Sequence, residues 1–388
     1  MLPLFVVAHL AHHLLTALPT PLLPFIRDDF GLDYTQSGLV VSAFGLAYGI
    51  GQIPAGILAD RIGPRKVITI GICGVAIVGI LVGLSQSFSM MLVFLALMGI
   101  AGGGYHPAAA PLISEAVEPE KRGRALGIHL IGGSGSNFLS PLIAAAIASA
   151  WGWRSSFLGL AIPTMILGII FYIILGRRAD QARAIPQERS DRLEERITSP
   201  GNLRRLIVFM ILAVGSQGIV TATMAFIPLF MVDSFGVTEQ TAAVFLSLIF
   251  FAGLWSSTLG GYLSDRLGTV PIFLIATLIS GPLIILLTKV PYGPGGIIIG
   301  ALLLFFGMMM FIRMPVAEAY VIGRTSERNR STILGIYYFA NMEMGAVLAP
   351  IMGSLIDRFS FTTSFTLGGV VVSVITLVCG VFLWGTRR

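Results

Sequence analysis

The chain alternates long apolar runs with short polar breaks. Runs of about 20 apolar residues cover 3–25, 37–58, 67–87, 90–113, 125–149 and 155–176. Six more cover 205–232, 240–260, 271–290, 296–320, 331–352 and 363–385. A helix of that length crosses a hydrocarbon core of about 30 Å, so the pattern predicts an all-α integral membrane protein with twelve transmembrane helices. The one long polar stretch, residues 177–204, falls between spans six and seven and reads as a solvated linker in which arginines alternate with acidic residues. It divides the chain into two pseudo-symmetric six-helix bundles, 1–176 and 205–388.

The break after span two carries most of the local information. Gly56-Ile57-Leu58-Ala59-Asp60-Arg61-Ile62-Gly63-Pro64-Arg65-Lys66 sets a carboxylate, three cations and two glycines between apolar runs. Charges of that density belong at a membrane surface, because Asp and Arg each cost about 2.5 to 3.5 kcal/mol at a helix centre. A weaker copy, Gly261-Tyr262-Leu263-Ser264-Asp265-Arg266-Leu267-Gly268, lies 205 positions later. Phe30-Gly31 and Phe235-Gly236 share that offset, whereas Pro107 and Pro315, Arg122 and Arg330, and Leu126-Gly127-Ile128 and Leu334-Gly335-Ile336 are 208 apart. Pro141 and Pro350 are 209 apart. A slowly drifting offset over several helices implies two similar bundles related by an axis along the membrane normal.

Composition agrees with this and removes other classes. Hydrophobic residues are 55% of the chain and charged residues 11%, against roughly a quarter charged in soluble domains. The net charge of +6 does not point to nucleic acid, since the cations sit in short loops and form no basic stripe with interleaved aromatics. Arg61, Arg65, Lys66, Lys121, Arg122, Arg124, Arg266, Arg324, Arg328, Arg330, Arg387, Arg388 and the arginines of the linker fall on the side of the termini. Only Arg27, Arg154, Lys289 and Arg358 fall opposite, so both termini are expected in the cytoplasm. Cys73 and Cys379 each lie in an apolar run; neither a disulfide frame nor a metal-ligand spacing is present. The first run has no basic region before it and no cleavage site after it, so it reads as a retained helix.

The loop from Gly56 to Lys66 resembles the G-x-L-A-D-R-x-G-x-R-K signature of the major facilitator superfamily, and helix number, central loop and repeat agree with that family along the whole chain. The resemblance implies a facilitative or proton-coupled transporter that rocks two bundles around a midplane site. Ala8-His9-Leu10, Tyr105-His106-Pro107 and Gly132-Gly133-Ser134-Gly135 resemble the fosmidomycin-resistance-like drug exporters within it. Two departures argue against antiport. Leu95 stands where drug antiporters of the family carry an arginine, and Ser140-Pro141-Leu142-Ile143-Ala144-Ala145 lacks the paired glycines that end their span-five motif.

Several residues are candidates for chemistry. In the signature loop Gly56, Asp60, Arg61, Gly63 and Arg65, with Glu115 as a partner for Arg61 or Arg65 and with Asp265 and Arg266 in the second copy, would lock one face and release it as the bundles rock. His9, His13, Thr16 and Thr20 share one helical face of span one, with His13 near the bilayer midplane; histidine exchanges a proton near neutral pH. Arg313 and Glu318 in span ten and Glu343 in span eleven are the deep charges of the second bundle. Arg313 would take an anionic substrate or be neutralised by Glu343. Asn341 and Glu343 stand about 200° apart around their helix, so one of them faces inward. Phe44, Tyr48 and Gln52 share a face of span two, and Gln217, Thr221 and Met224 share a face of span seven. Tyr105, His106, Trp255, Tyr337 and Tyr338 complete the candidate lining. Gly45-xxx-Gly49 and Gly99-xxx-Gly103 read as close helix approach.

The expected function is secondary active transport by alternating access, foremost proton-coupled export of small amphipathic or anionic compounds, with proton-coupled uptake of an organic anion as the alternative. The expected partners are a small-molecule substrate, protons and the lipid bilayer, with no nucleic acid and no cofactor, and the chain acts as a monomer in the cell membrane. An enzyme is not expected: no H-E-x-x-H occurs, and Gly132-Gly133-Ser134-Gly135-Ser136 misses the nucleophile elbow at its last position.

Overall fold

The computed structural model describes residues 2–115, 117–118, 122–179, 200–325 and 330–384, and its regular structure among them is helical throughout. Residues 180–199 of the expected linker lie outside the described residues. Among the described residues eleven helices are long and apolar enough to span a membrane, and Leu2–Thr16 adds a shorter apolar helix. Side chains such as Ile53, Val93 and Leu377 are exposed on these helices, as a lipid-facing surface requires.

Two of the expected spans are broken. Span one becomes α1 (Leu2–Thr16) and α2 (Leu23–Phe30), because Pro19 and Pro21 have no N–H to continue the ladder. Thr20 therefore does not share a helical face with His9, His13 and Thr16; that expectation fails at the helix end. Span four becomes α5 (Phe88–Gly102) and α6 (Tyr105–Glu115), parted at Gly103 and Gly104.

The other helices follow the apolar runs. They are α3 (Tyr34–Ile62), α4 (Pro64–Gly83), α7 (Arg122–Trp151), α8 (Trp153–Ala179), α9 (Pro200–Phe235) and α10 (Glu239–Leu267), then α11 (Thr269–Leu287), α12 (Ile297–Gly323), α13 (Arg330–Arg358) and α14 (Phe361–Trp384). α3 begins on a capping box: the Asp33 carboxylate accepts from Gln36 N at 2.7 Å and the Gln36 side chain accepts from Asp33 N at 3.1 Å.

The chain separates into two compact units. The first comprises Met1–Pro186 and Ile227–Ser247, the second Gln187–Phe226 and Leu248–Arg388. The repeat read from the sequence returns in the backbone. Gly63, after α3, has φ 93° and ψ 141°, and Gly268, after α10, has φ 93° and ψ 150°. Gly31 and Gly236 take φ 63° and φ 64°. Left-handed conformations of this kind suit glycine.

Close helix contacts repeat as well. A Cβ on Gly99 would be driven onto the Phe44 carbonyl oxygen, and one on Gly103 would lie 2.7 Å from the Tyr48 carbonyl oxygen. In the second unit a Cβ on Gly307 would meet the Ile249 carbonyl. Gly99 and Gly307 thus let α5 and α12 press backbone to backbone on α3 and α10.

Candidate functional site

All five histidines of the chain gather in the first unit. α1 supplies His9, His12 and His13, α6 supplies His106, and α7 supplies His129. The approach of α1 to α7 depends on two glycines. A Cβ on Gly132 would strike the Val6 carbonyl, and one on Gly133 would lie 2.7 Å from Cε1 and 2.8 Å from Nε2 of the His9 ring.

Within this cluster the hydrogens are partly fixed by geometry. His9 Nδ1 lies 2.9 Å from the His129 carbonyl oxygen. A carbonyl only accepts, so Nδ1 donates and the free lone pair of the neutral ring sits on Nε2. That Nε2 is buried and has no protein partner. His13 Nε2 lies 3.2 Å from His106 Nε2, and the Thr16 hydroxyl is 3.4 Å from His13 Nδ1. When both rings are neutral, one of the two Nε2 atoms donates and the other accepts. His9 stacks on His129 with ring centroids 4.1 Å apart, and Tyr105 stacks on His12 at 4.6 Å and on His9 at 5.1 Å. The Tyr105 hydroxyl donates to the Phe5 carbonyl at 3.3 Å. Tyr48 is buried with its hydroxyl unpartnered, 6.4 Å from the His106 ring by centroids. Phe44 packs on Tyr48 at 5.4 Å, and Gln52 is half-buried on the next turn.

At the signature loop, Arg65 donates from Nε at 3.2 Å and from Nη2 at 2.9 Å to the Tyr172 carbonyl, with its guanidinium 4.1 Å from the Tyr172 ring centre. Gly176 makes the room for it, since a Cβ there would collide with the guanidinium. A Cβ on Gly56 would meet only Pro107 at 3.8 Å, so space does not demand glycine there. Arg61 is exposed, and the side chains of Asp60 and Glu115 lie outside the described residues. In the second copy Asp265 is exposed and Arg266 lies over the Tyr262 ring at 4.6 Å.

In the second unit Arg313 is 2% exposed. Its Nη2 donates to the Ser216 hydroxyl at 2.7 Å, and its guanidinium lies 5.3 Å from the Phe273 ring centre. Nε and Nη1 have no protein partner. Glu343 is 8% exposed and its Oε1 is also unpartnered. The two charges form no ion pair, so the neutralisation of Arg313 by Glu343 does not hold in this structure; placing them on successive helices left their directions open. Asn341 uses its side-chain amide on the Tyr337 carbonyl at 2.8 Å, and Glu318 is hydrogen-bonded by Tyr338. Gln217 donates to Thr221 at 3.2 Å along one face of α9, and Trp255 is 42% exposed.

Comparison with known proteins settles the family. The sequence model of the Major Facilitator Superfamily matches residues 5–342 and 209–388. The chain belongs to that superfamily. It is 25% identical over 381 residues to the multidrug resistance protein MdtG of Escherichia coli, covering 96% of this chain and 90% of that one. It is 31% identical over 260 residues to a probable sulfoacetate transporter, SauU, of Cupriavidus necator, a match that covers 63% of this chain and 59% of the relative. A probable L-galactonate transporter of Escherichia coli matches at 31% over 153 residues, 39% of this chain and 34% of that one. Among solved structures, a bacterial homologue of the human lysosomal transporter Spinster, inward-facing and occupied, superposes with a TM-score of 0.81 at 18% identity over 99% of this chain and 95% of its own. A POT family transporter in complex with 5-aminolevulinic acid gives 0.83 at 17%, over 99% and 96%.

The protein is thus a multi-pass membrane transporter of the facilitator type and not an enzyme. Of the residues singled out in the sequence, the structure brings together His9, His13, Tyr105 and His106, and sets Tyr48 beside them. It leaves Arg313 and Glu343 separate. His12 and His129 were not singled out, although a census of histidines, all within the first 129 residues, would have drawn them in. Also missed was Asp233, which receives Arg27 and, at 2.8 Å, the Tyr34 hydroxyl. Burial works against the Arg27 charge, but hydrogen bonds to Asp233 and Asp28 raise its pKa above the usual arginine value.

Proposed function

We propose that this facilitator is a proton-coupled secondary transporter that works by alternating access and exports small amphipathic or anionic compounds, with anions as the favoured class. The observation that carries the substrate class is Arg313: a fully buried guanidinium with two donor nitrogens free of protein. A desolvated charge without a counter-ion is costly, and an anionic ligand relieves that cost with charge-assisted hydrogen bonds. Tyr337 and Phe273 beside it suit the apolar part of such a ligand. Two of the relatives are named for organic anions, sulfoacetate and L-galactonate; export draws on the likeness to MdtG.

The proton is assigned to the His13 and His106 pair and to Glu343. With both rings neutral the two Nε2 atoms share one hydrogen, so the pair has a place for a further proton, and Glu343 presents a free buried oxygen. Asp60 and its neighbours act as the gate. Both termini are placed in the cytoplasm by the distribution of lysine and arginine, in a chain that works as a monomer. A second reading, uptake of an organic anion with protons, shares Arg313 and is favoured by Leu95 at the position of the antiporter arginine.

The test is flux in proteoliposomes with an imposed pH gradient, using sulfoacetate and galactonate beside a cationic drug. Export by exchange predicts that an anion accumulates on the side that supplies the protons, whereas uptake with protons predicts movement along the proton gradient. Arg313→Ala should lose anion transport by tenfold or more and spare the drug. Transport of the drug alone by the parent, with no anion moved in either direction, would overturn the anion assignment.

A further inference from the structure

We infer that the histidine cluster is a binding site for a divalent transition-metal ion, held by His9, His13 and His106. Each offers one ring nitrogen, and the three nitrogens lie within 4.8 Å of one another. The arrangement has the features of a built ligand set. His9 is oriented by its Nδ1 bond to the His129 carbonyl, the outer-shell contact that fixes a ligating imidazole with its other nitrogen free. That free Nε2 is buried without a protein partner, and Gly133 lets the ring seat against α7, where a Cβ would lie 2.8 Å from that nitrogen. The Thr16 hydroxyl near His13 Nδ1 does the same for His13, pointing Nε2 at His106.

The spacing suits a metal. Nitrogens bound at about 2.0 to 2.1 Å in a tetrahedron stand about 3.3 Å apart, and His13 Nε2 and His106 Nε2 are 3.2 Å apart. A small closure of the His9 side completes three corners of that tetrahedron. The donor set names the class of ion. Three neutral imidazoles with no carboxylate among them suit Zn2+, Co2+, Ni2+ or Cu2+, and not Mg2+ or Ca2+, which need oxygen ligands. Three nitrogens leave the fourth position for water or an anion, which also offsets the charge in a site without an acidic ligand.

Such an ion competes with the hydrogen between His13 and His106, because both use the same lone pairs. Affinity therefore falls as the pH drops and the ligand nitrogens take up protons. The inference stands apart from the coupling role proposed above, since it concerns binding at equilibrium.

The experiment is Co2+ titration of full-length, chelator-treated protein in detergent, purified without a polyhistidine tag, read by calorimetry and by visible absorption. One Co2+ per chain with the strong visible bands of a tetrahedral ion is expected, displaced by Zn2+. His9→Gln, His13→Gln and His106→Gln should each weaken binding by roughly tenfold or more, and His12→Gln should keep it. Gly133→Ala, which pushes on the His9 ring without removing a ligand, should weaken binding to a lesser degree. No saturable Co2+ binding by the parent, or binding that is the same in His13→Gln and His106→Gln as in the parent, overturns the site. Melting temperatures taken without metal separate lost ligands from lost fold. Transport failing to couple to protons while Co2+ still binds would reject the coupling role and leave this site standing.

Discussion

The two halves of the repeat share a scaffold and differ in what they bury. Position 105 in the first half corresponds to position 313 in the second, at the offset that also pairs Pro107 with Pro315. The first is Tyr105, a buried ring stacked on histidines with its hydroxyl satisfied; the second is Arg313, a buried cation with two donors to spare. Around both, the backbone solution is the same: Gly99 against Phe44, Gly307 against Ile249, and positive φ at Gly63 and Gly268. The fold is thus duplicated where it needs close helix contact, and the chemistry diverges where side chains reach inward. One half carries imidazoles hydrogen-bonded to one another and the other carries a guanidinium with donors to spare.

The largest effect expected from breaking this contrast is at Arg313. Arg313→Met should abolish anion transport, a loss of about 100-fold, while leaving the protein as stable or making it more stable by about 1 to 4 kcal/mol, because a desolvated charge gives way to an apolar side chain. Flux and thermal unfolding of the same preparation check both halves of the claim. A destabilised variant would mean that Arg313 serves the fold through Ser216.

The scaffold itself is tested next. Gly99→Ala and Gly307→Ala should each destabilise by about 1 to 3 kcal/mol, since the new methyl meets backbone that cannot move aside. Gly261→Ala, where a Cβ meets nothing within 4 Å, should be neutral or stabilising by up to about 1 kcal/mol. Equal losses at positions 99 and 307 would make the repeat energetic as well as geometric; a loss at one alone would show that the halves carry different loads.

A third comparison sets the histidine pair against the carboxylate. His13→Gln and His106→Gln should change the shape of the pH profile of transport. Glu343→Gln should let the substrate equilibrate without being concentrated. Asp60→Asn should cut both by severalfold with expression unchanged. If the histidine variants keep the parent profile, the proton travels through the second half alone.

How much of this was legible in the sequence follows from the range of each signal. Span length and loop charge are local, so the helices and the duplicated turn could be read directly. The proline pair at 19 and 21 was local too, yet the apolar run continued through it and hid the end of α1, and with it the loss of Thr20. The histidine cluster was half visible, because one helical face of α1 gave His9 and His13. His12 lies on α1 off that face, His106 was read on α6 without its contact to His13, and His129 meets His9 only through the packing of α7 on α1 that Gly132 and Gly133 permit, which no periodicity records. A pairing of Arg313 with Glu343 was one of two readings, suggested by their place on successive helices. Sequence order leaves the angle around each helix free, and Ser216 on α9 meets the guanidinium.

The smallest effect is expected at the counterpart of Arg313, and it is the most discriminating for the comparison. Tyr105→Phe removes one hydroxyl whose bond to the Phe5 carbonyl is long, at 3.3 Å. The carbonyl left behind is a helix acceptor that already serves the ladder of α1, so the loss should be about 0.5 to 1.5 kcal/mol. The ring stays, and with it the stacking on His9 and His12 that holds the imidazoles in place. Transport, its pH profile and Co2+ affinity should therefore all remain within about twofold of the parent, a difference of roughly 0.4 kcal/mol. Tyr105→Leu, which keeps bulk but removes the ring, should disturb the histidines and move the pH profile. If Tyr105→Phe alone shifts that profile, the hydroxyl takes part in proton transfer, and position 105 would be as chemical as its partner at 313.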